Sequence, residues 1–153
     1  MTPTIPRIDL AAHAAAPLAA MLRLEERISF DDGLRELVKL RVSQINGCLY
    51  CVDLHYTDAR ARGENEMRLI HLAAWHESPL FDARERAALS LAESVTHVAT
   101  TRVPDDVWAE AKRHLDANEL ANLLFIIAAI NGWNRLAVSA RTPPRSAASA
   151  SSA

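Results

Sequence analysis

Apolar residues recur at three- and four-residue intervals along most of the chain, the spacing of helices with one buried face. A first helix is predicted from Asp9 to about Leu24, bent at Pro17, whose ring removes a backbone donor. A second starts at Asp31 or Asp32 and runs to about Ile45, with Leu34, Leu37, Val38, Val42 and Ile45 on one face and Asn46-Gly47 as its stop. A third begins at Cys48 and ends near Arg62, before Gly63. A short fourth carries Met67, Leu69, Ile70, Ala73 and Ala74. Asp82 with Glu85 forms a capping box for a fifth, with Ala88, Leu91, Ala92 and Val95 inward. Pro104 suits the first turn of a sixth, which carries Val107, Trp108, Ala111 and Leu115. Asp116 with Glu119 opens a long last helix to about Ala140, apolar around much of its circumference and so central or shared between subunits. No stretch keeps up strand alternation, and the expected fold class is all-α. One helical domain spans residues 1–141. From Thr142 the chain turns to Pro, Arg, Ser and Ala, and residues 142–153 are expected to be a disordered tail.

Composition narrows the function. Of 153 residues 50% are hydrophobic, enough for a core in a single domain. A net charge of −2 without a Lys/Arg run argues against nucleic acid as a partner. The Ala-rich stretch Leu10 to Leu22 follows Arg7 in the manner of a signal peptide, but Asp9, His13 and Pro17 break the pattern. The run Leu120 to Ile130 contains Asn122 and is shorter than the roughly 20 residues that span a bilayer. The reading is a cytoplasmic chain with no membrane partner. In that reducing compartment paired thiols are catalytic or metal-binding more often than structural.

The chemistry concentrates at Cys48, Cys51 and His55, spaced i, i+3 and i+7. On a helix these three share a narrow stripe. A thiol at a helix N-terminus meets partial positive charge and free N–H groups, which favour thiolate. His55, one turn past Cys51, can take or return a proton near neutral pH. A c-type haem is excluded because Val52, not His, follows the second Cys. Thioredoxin-like chemistry lacks its βαβ context. Zinc on Cys48, Cys51 and His55 needs a fourth ligand, for which His71 and His76 are available. Two inert buried thiols are the bland alternative. The favoured reading is a redox-active dithiol.

Among other residues, Arg41 sits on the apolar stripe of the second helix, where snorkelling is favoured over pairing with an acid. His71, His76, His97 and His114 follow no ligand spacing, and Trp75, Trp108 and Trp133 read as core or interface anchors. Asn131 and Asn134 on a buried helix need partners, which suggests helix-to-helix bonding.

The stretch from Arg35 to His55 resembles the core of the alkylhydroperoxidase AhpD-like family, within the carboxymuconolactone decarboxylase superfamily. Glu36, Cys48, Cys51 and His55 match its pattern of a Glu, a Cys-x-x-Cys about three turns later, and a His four residues after the second Cys. Tyr50 stands where longer members carry a His, and the duplicated N-terminal half of those members is absent. The resemblance implies a helical thiol peroxidase assembled as a homo-oligomer, a trimer or hexamer. It implies action on hydrogen peroxide or organic hydroperoxides and restoration by an external dithiol reductant such as a lipoyl-type carrier. By the same resemblance Cys51 is peroxidatic, Cys48 resolving, and His55 with Glu36 a proton relay, with no metal or organic cofactor. Helix geometry alone would make Glu36 a solvated surface acid, opposite the apolar stripe. The alternatives are a lactone enzyme of the carboxymuconolactone decarboxylase type and a non-catalytic redox-sensing or metal-binding oligomer.

Overall fold

Aspartate caps set where four of the helices begin, at Asp9, Asp31, Asp82 and Asp116. The structure, a computed structural model, describes residues 5–146 and is all-helical, with no strand among them. In chain order the helices are α1 (Leu10–His13), α2 (Ala15–Arg27), α3 (Asp32–Ile45), α4 (Leu49–Ala61), α5 (Glu66–His71), α6 (Ala83–Thr96), α7 (Val98–Thr101), α8 (Asp105–His114) and α9 (Ala117–Ala140). A 3-10 segment, Leu72–Glu77, extends α5. The Asp31 side chain accepts from the Leu34 amide to start α3. Both anticipated capping boxes form, Asp82 with Glu85 on α6 and Asp116 with Glu119 on α9. Each satisfies two otherwise orphaned N–H groups.

Boundaries differ from the sequence reading in four places. The first helix is two, broken at Ala14 and not bent at Pro17. Pro17 instead lies in the first turn of α2, where its missing N–H costs nothing. Cys48 caps α4 and does not belong to its first turn. Pro104 likewise caps α8. The fourth helix tightens to 3-10 after His71, across a kink at Ala74.

The core forms where α3, α6 and α9 meet. Leu37, Val38, Leu40 and Val42 pack with Leu89, Leu91, Leu123, Ile126, Ile127 and Ile130. By length and composition α9 is apolar enough to cross a bilayer, but here it is the central helix of the bundle, with those side chains turned inward. Buried polar groups at its C-terminal half bind one another. Asn134 donates to Ser43 Oγ at 3.0 Å and accepts from Asn46 at 2.9 Å. Asn46 also donates to Asn131, which reaches Thr96 on α6. The expected helix-to-helix bonding is therefore present. Arg41 does not snorkel: its Nε binds Glu93 at 2.7 Å, and the same carboxylate accepts from buried Trp75.

α2 buries no residue fully and lies over α9, with Met21 close against Gly132. Just beyond α9 the chain crosses the same region, and the Ser146 amide donates to Asp53 on α4 at 2.9 Å. The rest of the expected tail, residues 147–153, lies outside the described residues.

The tight link between α3 and α4 sets the register of the hairpin they form. Gly47 occupies it at φ +64, the left-handed region that costs an L side chain about 1 kcal/mol. A Cβ there would meet nothing within 4 Å, so the constraint is backbone conformation and not space. Gly47→Ala is expected to lower unfolding free energy by about 1 kcal/mol with an unchanged denaturant slope, measured by chemical denaturation.

Candidate active site

α3 and α4 run antiparallel after the Asn46-Gly47 turn, which sets Glu36 opposite His55. His55 Nδ1 and Glu36 Oε2 are 2.8 Å apart. Both side chains are buried, Glu36 at 6% exposure, so the solvated position expected from its own helix is corrected. A residue off the apolar stripe of α3 is covered here because α4 packs on that side. Burial pushes the Glu36 carboxyl upward. The hydrogen bond from His55, the charge His55 carries when protonated, and the charges of Lys39 and Arg62 outweigh it and hold the group below its ordinary range. An ionised carboxylate only accepts, so Nδ1 carries the hydrogen and Nε2 is left to exchange protons.

Cys48 and Cys51 are free and buried. The Cys51 thiol donates to Cys48 sulfur, and this bond is the largest influence on both. It pulls the Cys48 thiol down to about 6 against an upward push from burial, aided by the Cys51 amide, the Asn134 side chain and the Tyr50 amide. Cys51 moves far upward, because it holds the shared proton, is buried, and faces the Cys48 charge. One proton thus serves two sulfurs, and the charge rests on the thiol that caps the helix, as the geometry of a helix N-terminus favours.

A cavity of about 700 Å³ opens onto these groups. Cys51, His55 and Glu36 all line it, whereas Cys48 lies behind Cys51 and does not. Its remaining wall is largely apolar, built from Leu10, Leu18 and Leu22 on one side and Leu54, Trp133 and Leu136 on the other. Trp133 is thus a cavity residue as well as an anchor, its Nε1 donating to Glu25 at 3.1 Å. Glu25 also pairs with the nearly buried Lys39 at 2.5 Å.

Sequence spacing missed Asn134 as a site residue. It lies 83 positions beyond Cys51, and only the packing of α9 on α3 brings its amide to the thiols. Its need for polar partners in an apolar helix was the available signal. Titration of thiolate absorbance should show one thiolate per chain appearing with a midpoint near 6 and lost below that pH as the thiolate is protonated. Cys51→Ala should raise the midpoint further than Asn134→Ala, since it removes the stronger donor; the reverse order would contradict this account.

Known proteins are similar to this chain over half of its length or more. The profile of the carboxymuconolactone decarboxylase family matches residues 15–94. The uncharacterized protein YdfG of Bacillus subtilis strain 168 is 36% identical over 138 residues, 90% of this chain and 94% of that one. The uncharacterized protein YnjA of Escherichia coli strain K12 is 33% identical over 102 residues, 67% of this chain and 56% of that one. Among solved structures, a protein of unknown function from Agrobacterium tumefaciens, suggested to be an antioxidant defence protein AhpD, superposes with a TM-score of 0.89 at 34% identity, over 92% of this chain and 98% of that one. With its thiol pair, buried acid–imidazole pair and helical frame set beside these matches, the chain belongs to the carboxymuconolactone decarboxylase family and is AhpD-like within it.

Proposed function

We propose that this protein is a thiol peroxidase that reduces hydrogen peroxide or organic hydroperoxides through Cys51 and Cys48. The observation that carries the reading is the order of groups at the cavity: Cys51, His55 and Glu36 face it, and an anionic Cys48 waits one hydrogen bond behind. Cys51 meets the peroxide. Its proton passes to Nε2 of His55, its sulfur attacks one peroxide oxygen, and the O–O bond breaks. His55 then protonates the departing alkoxide, and Glu36 stabilises the imidazolium while it lasts. Cys51 is now a sulfenic acid. Cys48, already ionised, attacks its sulfur and expels hydroxide, which leaves as water after taking a proton from solvent. The sum is two thiols and a hydroperoxide converted to a disulfide, an alcohol and water.

The division of labour follows from the electrostatics. A low thiol pKa on the hidden sulfur serves the resolving step, and the exposed sulfur is ionised only when His55 accepts its proton. A reductant must then reach a disulfide at the bottom of a pocket. A dithiol on a slender arm, such as a lipoyl-type carrier, fits that access better than a sulfur on a broad protein face. Exposed Leu49 and Phe125, at 65% and 56%, support assembly as a homo-oligomer, trimeric or hexameric. The proposed setting is the cytoplasm, where thiol reductants keep the cycle running.

A lactone enzyme of the family's namesake type is the second reading, supported by the His55–Glu36 pair in an apolar cavity. One variant series separates the two. Cys51→Ser should abolish peroxide consumption, and Cys48→Ser should leave a sulfenic acid that a dimedone-type trap captures on Cys51. Glu36→Gln should lower kcat/KM for peroxide by about 100-fold. Wild-type peroxide turnover in Cys51→Ser, or lactone turnover surviving in Cys48→Ala/Cys51→Ala, would sink the peroxidase reading.

A further inference from the structure

Asp58 has no part in the proposed cycle, yet it lies beside the relay. His55 and Asp58 are one turn apart on α4 and both line the large cavity, and Glu36 faces them from α3. One ligand atom from each lies within 4.8 Å of the other two. The carboxylate of Asp58 has no hydrogen bond or ion pair among the described residues. His55, whose side chain is only 9% exposed, uses Nδ1 toward Glu36 and has no partner there for Nε2.

Two of the nearby cations are engaged with other acids, and Arg145 also lines the cavity. Lys39 pairs with Glu25, and Arg62 with Asp32 at 3.0 Å. Two carboxylates and an imidazole thus share one edge of a low-dielectric cavity with a lone pair to offer and little positive charge of their own. Oxygen and imidazole donors in that number suit a first-row divalent ion, and three protein ligands would leave coordination positions open to the cavity. A bond length near 2 Å asks the three groups to close by less than about 1 Å each, within reach of side-chain rotation.

We propose that Glu36, His55 and Asp58 form a binding site for a divalent transition-metal ion, with zinc the simplest occupant. The site is distinct from any thiolate zinc centre, since neither Cys48 nor Cys51 belongs to it. If the peroxidase reading also holds, metal and proton relay exclude each other. An ion on either nitrogen of His55 takes the lone pair or the Glu36 bond that the relay needs, and the enzyme falls silent while zinc is bound.

Calorimetric titration of Zn²⁺ into the Cys48→Ser/Cys51→Ser protein tests the site without reference to peroxide turnover. One ion per chain should bind, and adding Asp58→Asn should weaken binding by at least about tenfold. Circular dichroism confirms that each variant is folded. In the wild-type chain, Co²⁺ should give visible bands of oxygen and nitrogen ligation without a sulfur charge-transfer band, which serves if the double variant does not fold. No saturable binding below about 1 mM, a smaller effect of Asp58→Asn, or a sulfur band with Co²⁺ would each overturn the proposal.

Discussion

The hairpin of α3 and α4 is the constraint on which the site depends. Two residues, Asn46 and Gly47, reverse the chain, and the left-handed conformation at Gly47 sets the register in which one helix lies on the other. That register places Glu36 against His55, buries both, and leaves Cys48 as the cap of α4. A slip of one residue would turn Glu36 by about 100° and separate the pair. Asn46 contributes twice, since its side chain also binds Asn131 and Asn134 and ties the turn to the central helix. The turn, the thiols and α9 are therefore one polar assembly inside an otherwise apolar bundle.

Charge in that assembly is arranged by hydrogen bonds more than by formal ions. The sulfur that faces the cavity keeps its proton, and the sulfur behind it is the anion. A buried thiolate would be costly alone, but the Cys51 thiol, two backbone amides and Asn134 together supply donors that offset its desolvation. The same logic keeps Glu36 ionised although it is buried: His55 donates, and Lys39 and Arg62 lend their field while paired with other acids. Both halves of the site are poised by their neighbours, of which Cys51, His55 and Lys39 also line the cavity.

Much of the frame was legible in the chain. Asp31, Asp82 and Asp116 announce α3, α6 and α9, because a cap acts on amides two or three residues away and needs no tertiary partner. The apolar stripe of α3 and the all-round apolar character of α9 follow from local spacing as well. The departures are equally local in origin: Ala14 breaks the first helix, and the segment after His71 tightens to 3-10, where propensities are too even to choose. Among the site residues, Cys48, Cys51 and His55 sit within eight positions and can be seen together. Arg41, Glu36 and Asn134 could not be placed from their own helices, since each has its partner on a different one.

What the sequence determined by itself is whatever one helix can specify: its caps, its stripe, the alignment of two thiols and an imidazole, and a family likeness. The tertiary structure decided which helix covers which face. That choice buried Glu36, brought Asn134 to the sulfurs, paired Arg41 with Glu93, and opened the cavity to Cys51 while closing it to Cys48. The physical reason is range. Helical hydrogen bonds and capping act over three or four residues, whereas desolvation and the sharing of a proton depend on every chain segment that arrives nearby.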